Sequence, residues 1–396
     1  MTTTGSPVAV PLSRAPSPYP AATDVAGPPA PTPPAAAVLA LGSAAPAARI
    51  DQTDVFDGFY AQLYRDVPDA RRLFVEATRV RRRFFTWDPR VDLAAGFPAL
   101  GARVDAWERE TLALGRRSLA AVLDGVDPAR VGTFIMVSTT GYACPGPQAA
   151  LAQQLGLRPE TRRTFIGHMG CYAALTGLRT ALDAIAARPG ELVLLCCVEL
   201  TSLHVRGEAS AEQAIVHGLF GDACAAMLLG AAAGSVTPAT AGPATATAPV
   251  PGAPAVLSTL ARTFPGTAEA MTIRVREDGF RLRLSPEIPS MLAATTPAFL
   301  TDLLAPRGLD AADVRHWAIH PGGPRIVDKV GDALGLSAEQ RAASLGVLAD
   351  YGNCSSATVL LVLERVLRES RPAPGEYGVM IAFGPGLTTE AALLRF

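Results

Sequence analysis

Three stretches hold the side chains best suited to covalent chemistry. In "GHMGCYAALTGLR" Cys171 follows Gly170 and precedes a long apolar helical pattern. A helix N-terminus offers unpaired N–H groups and partial positive charge, which favour thiolate over thiol. A glycine there permits the tight bend that delivers the sulfur. In "WAIHPGGPRIVDKV" His320 ends an apolar strand before Pro321-Gly322-Gly323-Pro324 turns the chain. In "ADYGNCSSATVLLVL" Asn353 stands ahead of another helix. Each residue also has a purely structural reading: a buried thiol, a hydrogen-bonded core imidazole, a helix N-cap. Together, at three loop-to-element junctions, they can form a thiolate–imidazolium pair with an amide donor beside it.

That trio fits two reaction classes. In a papain-like cysteine hydrolase Asn orients His, and the chain order Cys, His, Asn is the same. In a condensing enzyme that makes carbon–carbon bonds, His and Asn both donate to a thioester carbonyl. The elements that must position the trio favour the second. "AVLALGSAAPA" (37–47), "GTFIMVST" (132–139), "GELVLLCCVE" (190–199), "GDACAAMLLGAA" (221–232) and "YGVMIAFG" (377–384) read as buried strands, and 172–187 reads as a helix. Strands covered on both faces and alternating with helices imply a parallel or mixed α/β sheet. After Cys171 come a helix, a Pro-Gly-Glu turn and a strand; after Asn353 the same order returns, with a helix at 357–370 and "PGEYGVMIAF" at 374–383. This echo predicts two related α/β halves, with Cys171 and Asn353 in comparable places and a site at their junction.

The chain divides accordingly. Residues 1–36 are a Pro/Ala-rich tail expected to be disordered. Residues 37–256 form an N-terminal half carrying Cys171, with a low-complexity loop at 231–255, and residues 257–396 form a C-terminal half carrying His320 and Asn353. Residues 51–86 read as helical with an Arg-rich end. With 49% apolar residues over 396 positions, the chain can bury a large interior. A net charge of −1 argues against a nucleic-acid binder that depends on a basic surface. The six cysteines form no C-x-x-C pair, which disfavours a zinc ribbon, and most lie in apolar runs, which suggests a reducing compartment. No run of eighteen apolar residues or secretory leader is evident, so no membrane span and a cytoplasmic location are expected.

The motifs then resemble those of the type III polyketide synthases, the chalcone synthase-like branch of the thiolase-fold condensing enzymes, from about residue 37 to the C-terminus. "GCYAALTGLR" is similar to the nucleophile loop, "IHPGGPRIVDKV" to the histidine segment and "YGNCSSATVLLVL" to the asparagine segment. "LFGDACAAMLLG" is similar to the segment holding a gating phenylalanine, here Phe220, and "AFGPGLTTEAALL" to a pocket-shaping loop, here Gly384, Pro385 and Gly386. Pro385 lacks an N–H, so it would stiffen that loop rather than donate to an oxyanion.

The resemblance implies a thiolase-like fold, two related halves in an α-β-α-β-α layering, and an acyltransferase with Cys171, His320 and Asn353 as catalytic residues. Cys171 would hold an acyl-CoA starter as a thioester, with His320 lowering the thiol pKa as its ion-pair partner. His320 and Asn353 would stabilise the enolate as malonyl-CoA loses carbon dioxide. No metal or cofactor is implied beyond the CoA thioesters themselves. Thr139, Thr201, His204 and Ser355 fall at pocket-lining positions. Cys144 lies on a loop that would enter the partner's pocket in a homodimer. His204 and Leu282 depart from the plant enzymes, where a small hydroxyl residue and a second gating Phe stand, and point to an alkylpyrone or alkylresorcinol product. Arg71, Arg72 and Arg79, with Arg81, Arg82 and Arg83, either bind CoA phosphates at the tunnel mouth or form a solvated helix face. Competing readings are a ketoacyl carrier-protein synthase III-like enzyme, a cysteine hydrolase of unrelated fold, and an inactive scaffold paralogue.

Overall fold

The computed structural model describes residues 36–232, 254–277 and 279–396. The Pro/Ala-rich tail up to residue 35 and residues 233–253 of the low-complexity loop lie outside the described residues. The described strands are β1 Ala36–Ala44, β2 Ala48–Asp51, β3 Arg82–Phe85, β4 Val131–Ser138, β5 Arg162–Gly167, β6 Leu192–Leu200 and β7 Asp222–Ala231. They continue with β8 Ala255–Thr263, β9 Met271–Arg276, β10 Gly279–Leu284, β11 Val314–Ile319, β12 Tyr377–Gly384 and β13 Thr388–Arg395.

Nine of them form one mixed sheet in the order β11-β12-β13-β8-β1-β7-β6-β4-β5. The two ends of this sheet are joined through only two residue pairs of β1 and β8, Ala36 with Val256 and Ala37 with Ala255. Strands β4, β6 and β7 are buried almost along their whole length, as continuous apolar runs covered on both faces require.

Side-chain alternation shows what covers each face. Ile135 and Val137 of β4 pack with the helices Ala173–Ala187 and Ala357–Arg365, while Phe134 and Met136 pack with Trp107, Leu114 and Leu119 of the helix Leu100–Val122. In the other half Met380 and Ala382 of β12 face the same central pair of helices, whereas Val379, Ile381 and Phe383 face the helices Ile288–Leu304 and Pro324–Ala333. The order is helices, sheet, central helices, sheet, helices, the α-β-α-β-α layering expected from the sequence. The central layer consists of the two helices that follow Cys171 and Asn353, so the internal echo corresponds to a shared core.

One local expectation is corrected. The segment 51–86 is not helical to its end: short helical turns span Gln52–Leu63 and Arg72–Glu76, and the Arg-rich tail becomes β3, paired antiparallel with β2. The reason is period two, since Arg83 and Phe85 are buried while Arg82 and Phe84 are half-buried. The segment Ile288–Arg307 is long and apolar enough to cross a membrane by length and composition; Leu292, Phe299, Leu300 and Leu303 on it pack into the core beside β12 and β13.

Candidate active site

Cys171 is delivered by a strained turn. β5 ends at Gly167, and His168 at φ 60° and Gly170 at φ 83° bend the chain through the left-handed region before the helix at Ala173. A Cβ on Gly170 would stand 2.5 Å from Cδ of Pro385, so both the dihedral and the packing demand glycine. Thr139, just after β4, accepts a hydrogen bond from the Gly170 N–H at 3.2 Å. Its own N–H donates to Glu199 at 3.0 Å. The sequence-predicted pocket residue Thr139 therefore also positions the nucleophile loop.

His320 follows β11, and its N–H donates to the Ile381 carbonyl at 2.8 Å. It is 1% exposed, and neither ring nitrogen has a hydrogen-bond partner among the described residues. Burial lowers its pKa to about 3.

Asn353 follows Gly352, whose φ of 72° ends the helix Ala338–Tyr351. Its backbone is locked to the gate region: its N–H donates to Leu219 O at 2.8 Å, and the Gly221 N–H donates to its carbonyl at 3.1 Å. Its Oδ1 accepts from the Ser355 N–H at 2.8 Å, which fixes the amide orientation. Nδ2 makes one long contact, 3.4 Å, to Gly322 O, leaving a second hydrogen to donate. Asn353 is not the helix cap, since the helix Ala357–Arg365 is capped at Ser356 without a side-chain bond; its amide oxygen instead holds the turn before that helix and so aims the donor. Ser355 holds φ 46°, a costly conformation for a non-glycine residue.

Cys171, His320 and Asn353 line one cavity of about 530 Å³ together with Phe220, Leu282, Ser355 and Pro385. Its remaining walls are largely aliphatic, among them Leu73, Ile215, Leu219, Met271 and Ile288. A side cavity of about 90 Å³ adjoins it, lined by Thr139, Thr201 and His204, and Phe220, Leu282 and Ser355 border both. Burial pushes the Cys171 thiol up to about 12, against hydrogen bonding from Ser355 and Asn353 that pulls it down. Burial thus works against charge on both thiol and imidazole, opposing the ion pair that the residue types suggest.

The remaining candidates divide. Gly384 and Gly386 do not line either cavity; a Cβ on Gly384 would meet the Tyr172 ring at 2.6 Å, so this loop packs against the nucleophile turn. Thr201 Oγ1 lies 2.9 Å from Gly221 O and 3.1 Å from Asp222 Oδ1. His204 stacks on Phe280 at 4.0 Å and its Nε2–H donates to Thr140 O at 2.6 Å; burial lowers its pKa to about 4. Cys144 is exposed and lines neither cavity.

Of the six arginines singled out from the sequence, only Arg72 lines the large cavity, and it pairs with Asp69 at 3.2 Å. Arg71 pairs with Asp57 at 3.5 Å, Arg79 with Asp328 at 2.9 Å, and Arg81 and Arg82 both with Asp350 at 2.9 and 3.1 Å. Arg83 is 1% exposed and cannot meet a solvent-borne phosphate; its Nη1 donates to the carbonyls of His217 and Phe220 at 2.7 and 2.5 Å.

Sequence reasoning missed three features. Arg325, exposed in the first turn of its helix, lines the large cavity. Glu199 is fully buried and accepts from Thr140 Oγ1 at 2.9 Å and from Ser356 Oγ at 2.5 Å, bridging the two halves; a lone carboxylate in the strand "LVLLCCVEL" was its available signal. Tyr60, Arg83 and His217 line the side cavity, and no motif joins them.

Comparison with known proteins agrees with this geometry. The chalcone and stilbene synthase N-terminal domain matches residues 31–233 and the C-terminal domain matches residues 255–396. The chain is 30% identical over 387 residues to the alpha-pyrone synthesis polyketide synthase-like Pks18 of Mycobacterium tuberculosis, covering 92% of each protein. It is 32% identical over 373 residues to the 3,5-dihydroxyphenylacetyl-CoA synthase of Streptomyces toyocaensis, covering 92% of this chain and 91% of that one. It is 34% identical over 309 residues to the 1,3,6,8-tetrahydroxynaphthalene synthase of Streptomyces peucetius subsp. caesius, covering 77% and 78%. The crystal structure of PKS-I from the brown alga Ectocarpus siliculosus superposes with a TM-score of 0.82 at 29% identity, covering 92% of this chain and 99% of that one. Two matched domains spanning nearly all the described residues, and a shared fold, place the chain in the chalcone and stilbene synthase family, as an acyltransferase of the type III polyketide synthase class.

Proposed function

We propose that the chain loads an acyl-CoA starter on Cys171 and extends it iteratively by decarboxylative condensation with malonyl-CoA. The observation that carries this is the convergence in one cavity of a thiol, an imidazole with both nitrogens unpartnered, and an amide whose orientation is fixed with one hydrogen to spare. In the loading step the sulfur attacks the starter thioester carbonyl, His320 takes its proton as the bond forms, and CoA leaves as the thiol. Coupling the two events suits a site in which burial works against charge on both groups. Malonyl-CoA then enters, and its thioester oxygen accepts from His320 and Asn353 Nδ2–H. As carbon dioxide leaves, negative charge develops on that oxygen, where preorganised donors lower the barrier most. The resulting carbon nucleophile attacks the Cys171-bound acyl group, the sulfur is expelled, and the lengthened β-keto chain remains on CoA for another cycle.

The aliphatic walls of the large cavity favour an alkyl starter, and with Leu282 beside Phe220 they support an alkylpyrone or alkylresorcinol product. Arg72 and Arg325 would meet the CoA phosphates at its mouth. A homodimer with Cys144 near the partner's site follows from the family resemblance and fits the exposure of Cys144 and Tyr142. Six free thiols fit the reducing cytoplasm. The test is incubation of purified protein with malonyl-CoA and a panel of acyl-CoA starters, with product masses identified. Cys171→Ala is expected to abolish both the acyl-enzyme and product, and turnover by that variant refutes the proposal.

A further inference from the structure

Both cavities present mostly apolar surface, but the side cavity has the larger share of polar side chains in its wall, among them Tyr60, Thr139, Thr201, His204 and His217. Three of its lining residues carry a buried polar atom with no hydrogen-bond partner among the described residues: Tyr60 Oη, Arg83 Nη2 and His204 Nδ1. Such atoms are costly to bury, and each calls for a physical explanation. These three atoms are themselves closed off from solvent, so direct contact with a ligand falls to a neighbouring side chain.

His217 adds a donor whose identity can be derived. It lines the same cavity and is 7% exposed. Its Nδ1 lies 2.6 Å from Oη of Tyr64, a residue only 2% exposed. Burial raises the Tyr64 phenol well above its ordinary pKa, so it keeps its proton. His217 is its sole hydrogen-bond partner among the described residues, so the hydroxyl donates to Nδ1. The imidazole is neutral, because burial lowers its pKa to about 3. A neutral ring that accepts at Nδ1 must carry its proton at Nε2. Arg83 holds the His217 carbonyl at 2.7 Å, and the Tyr60 ring packs 5.3 Å from the imidazole, fixing the end of the helix Ala211–Leu219 that presents it.

Each malonyl-derived unit adds two carbons and one carbonyl oxygen to the chain. The alkyl tail gains from the aliphatic cavity, and the oxygens gain only where donors stand. We propose that His217, its tautomer set by Tyr64, donates an Nε2–H hydrogen bond to a carbonyl or enol oxygen of the extending chain in the side cavity, and thereby favours a second and later extension over release. His217 is then a specificity-determining residue and Tyr64 a positioning residue. The inference rests on the iterative condensation proposed above.

The experiment compares wild type, His217→Leu, His217→Gln and Tyr64→Phe. It reads acylation of Cys171 by intact mass and the ratio of multiply to singly extended products. His217→Leu is expected to load starter like wild type while that ratio falls about tenfold, the size of one buried donor. His217→Gln, which keeps an N–H, is expected to restore it to within about threefold. An unchanged ratio in the Leu variant, or a Gln variant as poor as Leu, overturns the proposal. If the Leu variant fails to load, Tyr64→Phe decides: it frees the imidazole to change tautomer, so the ratio must fall, and an unchanged ratio overturns the proposal. Failure of wild type to extend any starter overturns the parent reading instead.

Discussion

Replacing Asn353 with Asp separates the turn-forming role of this residue from the chemical one proposed for it. Aspartate keeps an oxygen to accept the Ser355 N–H, now held at 2.8 Å, so the left-handed turn at Ser355 survives. It loses the Nδ2–H donor and sets an oxygen against the Gly322 carbonyl, which Nδ2 now contacts at 3.4 Å. Loss of one preorganised donor costs about 2.7–4 kcal/mol of transition-state stabilisation, or roughly 10²–10³ in rate. Asn353 also helps to pull the Cys171 thiol down, so acylation of Cys171 should fall as well, but by clearly less than decarboxylation. Burial also favours the neutral carboxylic acid, which can donate. Residual decarboxylation should therefore rise as pH falls from about 8 to 6. The assay is paired: carbon dioxide release from malonyl-CoA, and acyl-enzyme formation by rapid quench and intact mass. Equal loss of both steps, or decarboxylation within about threefold of wild type, would refute the division of labour.

Other expectations follow from the same coordinates. Gly170→Ala sets a Cβ 2.5 Å from Pro385 at φ 83°; it should cost about 1–3 kcal/mol, read as a Tm lowered by several degrees, with slower loading of Cys171. Because burial places the thiol at about 12, alkylation of Cys171, followed by peptide mass to separate it from exposed Cys144, should climb about tenfold per pH unit through neutrality without levelling. A plateau below pH 8 would instead reveal a resting ion pair. Burial holds His204 near 4 and both His217 and His320 near 3, against an ordinary 6.5. The unfolded chain takes up protons first, so stability is intact above about pH 6.5 and drains away as pH falls toward the folded-state values. Thermal melts across that range check the sign.

Much of the architecture was legible because the buried strands are unbroken apolar runs and the helices after Cys171 and Asn353 carry strong patterns. The convergence of Cys171, His320 and Asn353 on one cavity was legible as well, since each sits at a junction marked by Gly or Pro. β3 was not, because four residues of alternating Arg and Phe look like the end of a cationic helix until Arg83 is seen to be buried. The burial of the thiol and the imidazole was hidden too. Residue types alone suggest an ion pair, whereas burial works against charge on both groups, and it comes in part from cavity walls contributed by β9, β10 and the helix at Ile288. The side cavity draws Tyr60, Arg83, His204 and His217 from separate elements, so no local motif announces it.

The short parallel bridge between Phe220 and Asn353 ties the proposed aromatic gate to the amide proposed to steady developing charge. Main-chain atoms of one brace those of the other, so a shift of the gate to admit a bulkier starter would drag the amide with it and blunt the chemistry. Leu282, on the separate two-stranded ribbon of β9 and β10, has no main-chain bridge to that amide; its carbonyl accepts from the Gln213 side chain, at 3.3 Å. Divergence toward new starters should thus accumulate on that ribbon, while the gate and its tethered amide stay put.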